Sequence, residues 1–170
     1  MDQRDITQLE EWTGTRITSV LYDTETDEVS SRCINTRIRG RSNLAIVVVT
    51  GEGYVFGSFH PDLITFAEDK FYGRYRQHNG FIFTLKNPRG VPPERFFPTK
   101  QGDYLVVYSA ESDARLIAMS ESYSVTKTSC SISPSFDWTY NSYHVGDVFL
   151  GDIQPNTHPL AQLIIFQCTK

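Results

Sequence analysis

The sequence predicts a mostly β (α+β) fold, a two-layer antiparallel β-sandwich flanked by short helices. Three observations predict it. Short apolar runs rich in β-branched and aromatic residues recur at 17–22, 44–49, 54–59, 80–85, 104–108, 116–119 and 160–168, which is how buried strands read. Aromatic residues make up 13% of the chain, with eleven Phe and nine Tyr, which suits packing between sheets. Helical periodicity is confined to two short stretches.

The stretch 44–59 is the centre of the expected fold. Residues 45–49 are apolar without a polar face, as in a strand buried on both sides. Thr50, Gly51, Glu52 and Gly53 then interrupt the run, and both glycines are expected to supply the positive φ of a tight hairpin. In the second strand Tyr54, Phe56 and Ser58 face one way, and Val55, Gly57 and Phe59 the other. Gly57, lacking a side chain, is expected to let another layer approach.

The remaining elements follow in order. Asp5 with Gln8 three residues on reads as a helix start, Ile6, Leu9 and Trp12 share one side, and Gly14 is a natural stop. Residues 23–31 form an acidic loop leading to a short helix near 29–34. Arg37, Arg39 and Arg41 alternate with Ile38 and Gly40, and in extended chain all three face one way. His60, Pro61 and Asp62 open another helix, with Leu63, Ile64, Phe66 and Ala67 on its apolar side, ending near Tyr72 and Gly73. A proline-stiffened loop runs from Asn87 to Phe97, and residues 109–115 read as a turn. Residues 120–138 are rich in Ser and Thr and too long for a simple turn, so they hold short irregular structure or a functional surface. The last strand, 160–168, is apolar on both faces.

Composition narrows the function classes. One domain of 170 residues can bury a core without staples. The net charge of −4 does not suit a general polyanion binder. No apolar run is long enough to span a bilayer, so no membrane insertion is expected. Three widely spaced cysteines fit no zinc pattern and read as reduced thiols, pointing to cytoplasm or nucleus.

No complete catalytic constellation is legible, and no cofactor or metal is implied. His60, His78, His144 and His158 lack metal-ligand spacing; His60 reads as a helix-entry residue. The glycines at 51, 53 and 57 lie between two strands, so no helix N-terminus faces a phosphate there. Ser58 lies inside a strand without a nucleophile elbow and reads as packing. Glu52, Glu68, Asp69, Glu94, Glu111, Asp113 and Glu121 could supply paired carboxylates that sequence alone does not bring together. Two sets remain as candidates. Cys33 and Cys130 are the redox candidates: Cys33 adjoins Arg32 and precedes Arg37 and Arg39, and positive charge lowers a thiol pKa, while Cys130, in a polar stretch, is expected to be exposed. Cys168 is expected to be half-buried. Arg37, Arg39 and Arg41 are the anion-binding candidate, or alternatively a charged edge that discourages strand pairing.

The order of several segments resembles a TLDc domain, the module of oxidation-resistance and TBC/LysM-associated proteins. Val20, Leu21 and Tyr22 before the acidic loop resemble that family's opening. Residues 43–49 resemble its buried strand. Val55, Phe56, Gly57, Ser58 and Phe59 resemble its Phe-Gly strand. Phe71, Tyr72 and Gly73, then residues 80–85, resemble its next pieces, and residues 163–166 its closing strand. The resemblance covers residue 15 to the end, so residues 15–170 are expected to form the domain, with 1–14 a helix packed on it. Departures mark a divergent member. Thr18 stands near the family's Trp, Glu28 replaces a loop glycine, and Gln162 and Gln167 are the nearest substitutes for a Glu of the closing strand.

The resemblance implies a β-sandwich with no settled catalytic chemistry, linked to protection against oxidative stress. It implies a protein partner, and several family members bind the vacuolar proton ATPase. The expectation is a non-enzymatic interaction domain working through loops at one end of the sandwich, residues 23–30 first. A nucleic-acid or polyanion binder using the arginines is the alternative, and thiol-dependent antioxidant activity the second.

Overall fold

The computed structural model describes residues 1–65, 72–76, 78–99, 103–109, 114–140, 149 and 157–170. Two antiparallel sheets face each other. The first has the order β1 (Arg16–Asp23), β11 (Thr157–Thr169), β2 (Leu44–Thr50), β3 (Val55–His60), β5 (Phe81–Lys86), β6 (Glu94–Phe96). The second has the order β4 (Tyr72–Arg76), β7 (Tyr104–Tyr108), β8 (Arg115–Met119), β9 (Tyr123–Thr126), β10 (Ser129–Ile132). Strand β11 belongs to both. Residues Thr157 to Pro159 pair with β10, and the rest pairs with β2 and β1. The hydrogen-bonded path is therefore continuous from one layer to the other.

Burial explains the apolar runs. Between the sheets lie Ile46, Val48, Phe56 and Ile82 from the first and Leu105, Val107, Ile117 and Val125 from the second. On the far face of the first sheet, Ala45, Val47, Phe59, Phe83 and Phe166 form a second cluster with Leu9 of helix α1 (Gln3–Thr13). Both faces of β2 are covered, so it carries no polar face. The alternation in β11 obeys the same division, with Leu163 and Ile165 in one cluster and Ile164 and Phe166 in the other.

Helix α1 is capped one turn earlier than its sequence suggests. Asp2, not Asp5, is the N-cap, accepting from the amides of Arg4 and Asp5 at 2.9 and 3.1 Å, while the Asp5 carboxylate takes the Asp2 amide at 3.0 Å. Gly14 ends the helix at φ 64°. Lys86 Nζ holds Asp2 and Asp5 at 3.2 and 3.3 Å, tying the helix start to β5.

Helix α2 (Ser31–Ile38) lies two residues later than expected and takes in Arg37 and Ile38. Ser30 caps it by accepting from the Cys33 amide, and Ile34 and Ile38 are fully buried. The arginine ridge therefore does not form in extended chain. Arg37 sits in the last helical turn, Arg39 is the C-cap, and Gly40 turns the chain at φ 71°.

Residues 61–65 are not helical. Their backbone bonds go sideways to the segment before β2: Ile64 N to Arg41 O, Gly40 N to Ile64 O and Asn43 N to Pro61 O. The remainder of that expected helix, 66–71, lies outside the described residues, as does most of the expected 109–115 turn. Residues 94–96 form an edge strand rather than loop, and 120–138 hold β9, β10 and helix α3 (Phe136–Thr139).

In the hairpin only Gly53 has positive φ, 87°; Gly51 instead gives room to Pro159 of β11. Gly57 faces its own sheet rather than another layer. A Cβ there would lie 1.9 Å from Ile46 O and 2.9 Å from the Phe83 ring. Gly57→Ala is expected to cost about 3 kcal/mol or more, measured by urea unfolding; a loss under about 1 kcal/mol would mean the strands part easily.

The α1 clamp carries a pH signature. The Asp5 amide, then Lys86, holds the Asp2 carboxyl below its ordinary 3.8, and Asp2 in turn raises Lys86 above 10.5. The Asp2 contribution is present above 3.8 and fades as pH falls through its lowered value. The Lys86 contribution is present below 10.5 and fades as pH rises through its raised value. Amide protection of α1 should be flat between those limits and fall outside them first.

Candidate functional site

The acidic segment after β1 is a tight turn fastened to β11. Asp27 N donates to Asp23 O at 2.8 Å, and Asp23 N to the Asp27 carboxylate at 2.9 Å. The Asp23 carboxylate accepts the Glu25 amide at 2.9 Å and Gln162 Nε2 at 3.0 and 3.1 Å. Thr24 exchanges bonds with Leu163, its amide donating to Leu163 O at 3.1 Å and its hydroxyl accepting the Leu163 amide at 2.9 Å. Tyr22 reaches back to Glu28 O at 3.3 Å; burial, then neighbouring Cys33 and Asp27, push its phenol up to about 12. The backbone is thus tied down while Glu25, Thr26 and Glu28 stay exposed.

Gln162 explains one sequence departure physically. A glutamate there would set a second carboxylate against Asp23, whereas the amide donates to it. Gln167 does different work, donating to Ser42 O and Cys168 O at 2.7 and 3.0 Å.

The candidate arginines have local duties. Arg37 pairs with Asp27 at 3.0 Å, in the acidic loop that precedes it. Arg41 donates to Arg37 O at 2.9 Å and to Gln167 Oε1 at 3.4 Å. Arg37 and Arg41 are joined at one corner of the fold, where the end of α2 meets the segment before β2.

Two buried polar clusters were not legible in the sequence. Ser58 Oγ lies 2.7 Å from His60 Nε2 and 2.5 Å from Tyr123 Oη. His60 ends a strand rather than entering a helix. Parity was the available signal, since Ser58 and His60 share the face of Phe56. On a surface such a pair would suggest an activated serine, but Ser58 and His60 are 0% exposed and Tyr123 1%. Asp103, also buried, accepts from the amides of Tyr104 and Glu121 at 2.7 and 2.9 Å, from the hydroxyls of Ser120 and Tyr140 at 3.0 and 2.9 Å, and from Ser122. Burial, then Asp103, raises the Tyr140 phenol, which stays a donor. Five donors offset the cost of a buried carboxylate. The cluster locks the β8–β9 turn to the start of β7.

Histidine–carboxylate pairs appear that spacing did not reveal: His78 with Asp62, and His158 with Glu52, each at 3.1 Å. His144, Glu68, Asp69, Glu111 and Asp113 lie outside the described residues. Among the described residues no three His, Cys, Asp or Glu are grouped to hold a metal ion. No helix among them is long and apolar enough to cross a membrane.

The thiols differ from expectation. Cys130 is buried, facing His158 O, and burial, then Glu52, pushes its thiol up to about 12. Cys168 is also buried, and burial raises it. Cys33 is half-exposed in the first turn of α2. At pH 8 a thiol-specific disulfide reagent should label Cys33 in the folded protein, and Cys130 and Cys168 only on unfolding. Labelling of Cys130 as fast as Cys33 would contradict this burial.

The family model for the TLDc domain matches residues 1–147. The match begins ahead of residue 15, includes α1, and stops short of β11. No curated protein matches the chain.

Proposed function

The chain belongs to the TLDc domain family, and from that premise we propose that it acts as a non-catalytic protein-interaction domain in the oxidative-stress response. The family is linked to oxidation resistance. The finer reading is binding to the vacuolar proton ATPase in the cytoplasm. In this reading residues 15–170 form the interaction domain, with residues 1–14 a helix packed on it.

The observation that carries the reading is the turn at 23–27. Its backbone is pinned to β11 by Thr24 and Gln162, and Glu25 and Glu28 face solvent beside it. A pre-ordered acidic surface loses little entropy on docking and favours a basic partner surface. Polar chemistry elsewhere supports the same view. The Ser58, His60 and Tyr123 set is closed to substrate, and the buried Cys130 is a poor nucleophile. Arg37 is committed to Asp27, which weighs against a polyanion-binding ridge.

The test is capture from cell lysate with the wild type and with a Glu25→Lys/Glu28→Lys variant. Proton-ATPase subunits should be recovered by the wild type and lost from the variant. Equal recovery by both would move the interface off this turn. Absence of those subunits from the wild-type capture would sink the ATPase reading.

A further inference from the structure

The outward face of the second sheet carries a separate pattern. Its inward residues, among them Leu105, Val107, Ile117, Tyr123, Val125 and Cys130, belong to the core. By the two-residue alternation of a strand, the residues between them point outward. Register places Arg74, Val106, Ala118, Ser124 and Ser131 in one row across five strands. The row crosses a cleft of about 570 Å³. Val106 and Ala118 sit in its middle, 7% and 4% exposed.

Two arginines flank that apolar floor, each stacked on a tyrosine of β7. Arg74 Cζ lies 4.7 Å from the Tyr104 ring centre, and Arg115 Cζ 5.5 Å from that of Tyr108. Stacking holds a guanidinium flat and leaves its N–H edge available to an acceptor. Tyr104 and Tyr108 are four residues apart in one strand, so the stacked pairs are anchored about 13 Å apart. The described residues lining the cleft include no Asp or Glu. Ser124 and Ser131 hydroxyls bond each other at 3.0 Å, and one donates, so the other keeps its proton for an outside acceptor.

We propose that this face binds an extended acidic peptide segment of a partner protein, with two carboxylates seated on Arg74 and Arg115 and an apolar side chain between them on Val106 and Ala118. The spacing carries the argument. In an extended peptide, residues at positions 2, 4 and 6 face one way, and positions 2 and 6 stand about 13 Å apart. That matches the backbone spacing of Tyr104 and Tyr108, on which the two arginines stack, with Val106 at its midpoint. Charge complementarity is local, because the chain as a whole is acidic. The site is separate from the acidic turn at residues 23–30 and does not depend on which partner binds there.

The test uses a dye-labelled seven-residue peptide with Glu at positions 2 and 6, Leu at 4 and Thr or Ala elsewhere, read by fluorescence polarisation. Its affinity for the wild type should fall about tenfold when both Glu are Gln, and the Glu peptide should bind the Arg74→Gln/Arg115→Gln variant about tenfold more weakly, with little further loss when the two changes are combined. Arg37→Gln/Arg41→Gln and Glu25→Lys/Glu28→Lys should leave it unchanged. Arg74→Glu/Arg115→Glu with a peptide carrying Lys at 2 and 6 should restore binding, which separates charge pairing from misfolding. Absence of binding to the wild type, equal binding of the Glu and Gln peptides, or affinity retained in Arg74→Gln/Arg115→Gln would each overturn the proposal.

Discussion

The pairing of β11 with three other strands is the constraint on which the structure depends. Its first residues extend the second sheet beside β10, and its later residues lie between β1 and β2 in the first. One strand therefore fixes how the two layers sit over each other. Its side chains fill both clusters, Leu163 and Ile165 between the sheets and Ile164 and Phe166 under α1. Burial on both faces, rather than any single contact, holds it in register. A slip of one residue would exchange the two sets and put Gln162 and Gln167 into the core.

The acidic turn inherits its position from that strand. Leu163 and Gln162 offer an amide, a carbonyl and a side-chain amide, and Thr24 and Asp23 take them. Helix α2 follows directly and packs Ile34 and Ile38 into the space between the sheets, while Asn35 donates to Tyr108 O at 2.7 Å. The acidic turn with exposed Glu25 and Glu28 is thus attached to ordered structure on both sides. Its backbone and the Asp23 and Asp27 carboxylates hold the turn, which leaves Glu25 and Glu28 at the surface.

Two polar clusters inside the sandwich join separate segments. Asp103 and Ser58 are buried and meet partners from other segments, Ser58 the Tyr123 hydroxyl and Asp103 the Tyr140 hydroxyl. An unmet donor or acceptor in that interior would cost more than the bond contributes. These clusters tie the ends of strands that apolar packing alone would leave free to slide. The outward face of the same sheet has the opposite character, with hydroxyls and stacked arginines presented to solvent over a small apolar floor.

Much was legible from the chain alone, because local period and burial carry the same information in a strand buried on both faces. The runs at 44–49, 55–59 and 81–85, the stop at Gly14 and the β-sandwich class followed from that agreement. The tertiary structure decided what depends on distant partners. Ser30 and the buried seats for Ile34 and Ile38 drew Arg37 into a helix, where strand-like alternation had suggested a ridge. Backbone bonds to residues 40–43 hold 61–65 out of a helix despite Pro61. Cys130 lies in a polar stretch yet is buried, because every second residue of β10 faces the core. Sequence determined which residues seek burial; only packing determined which neighbours receive them, since partners in a sheet can be as far apart in the chain as Arg16 and Thr169.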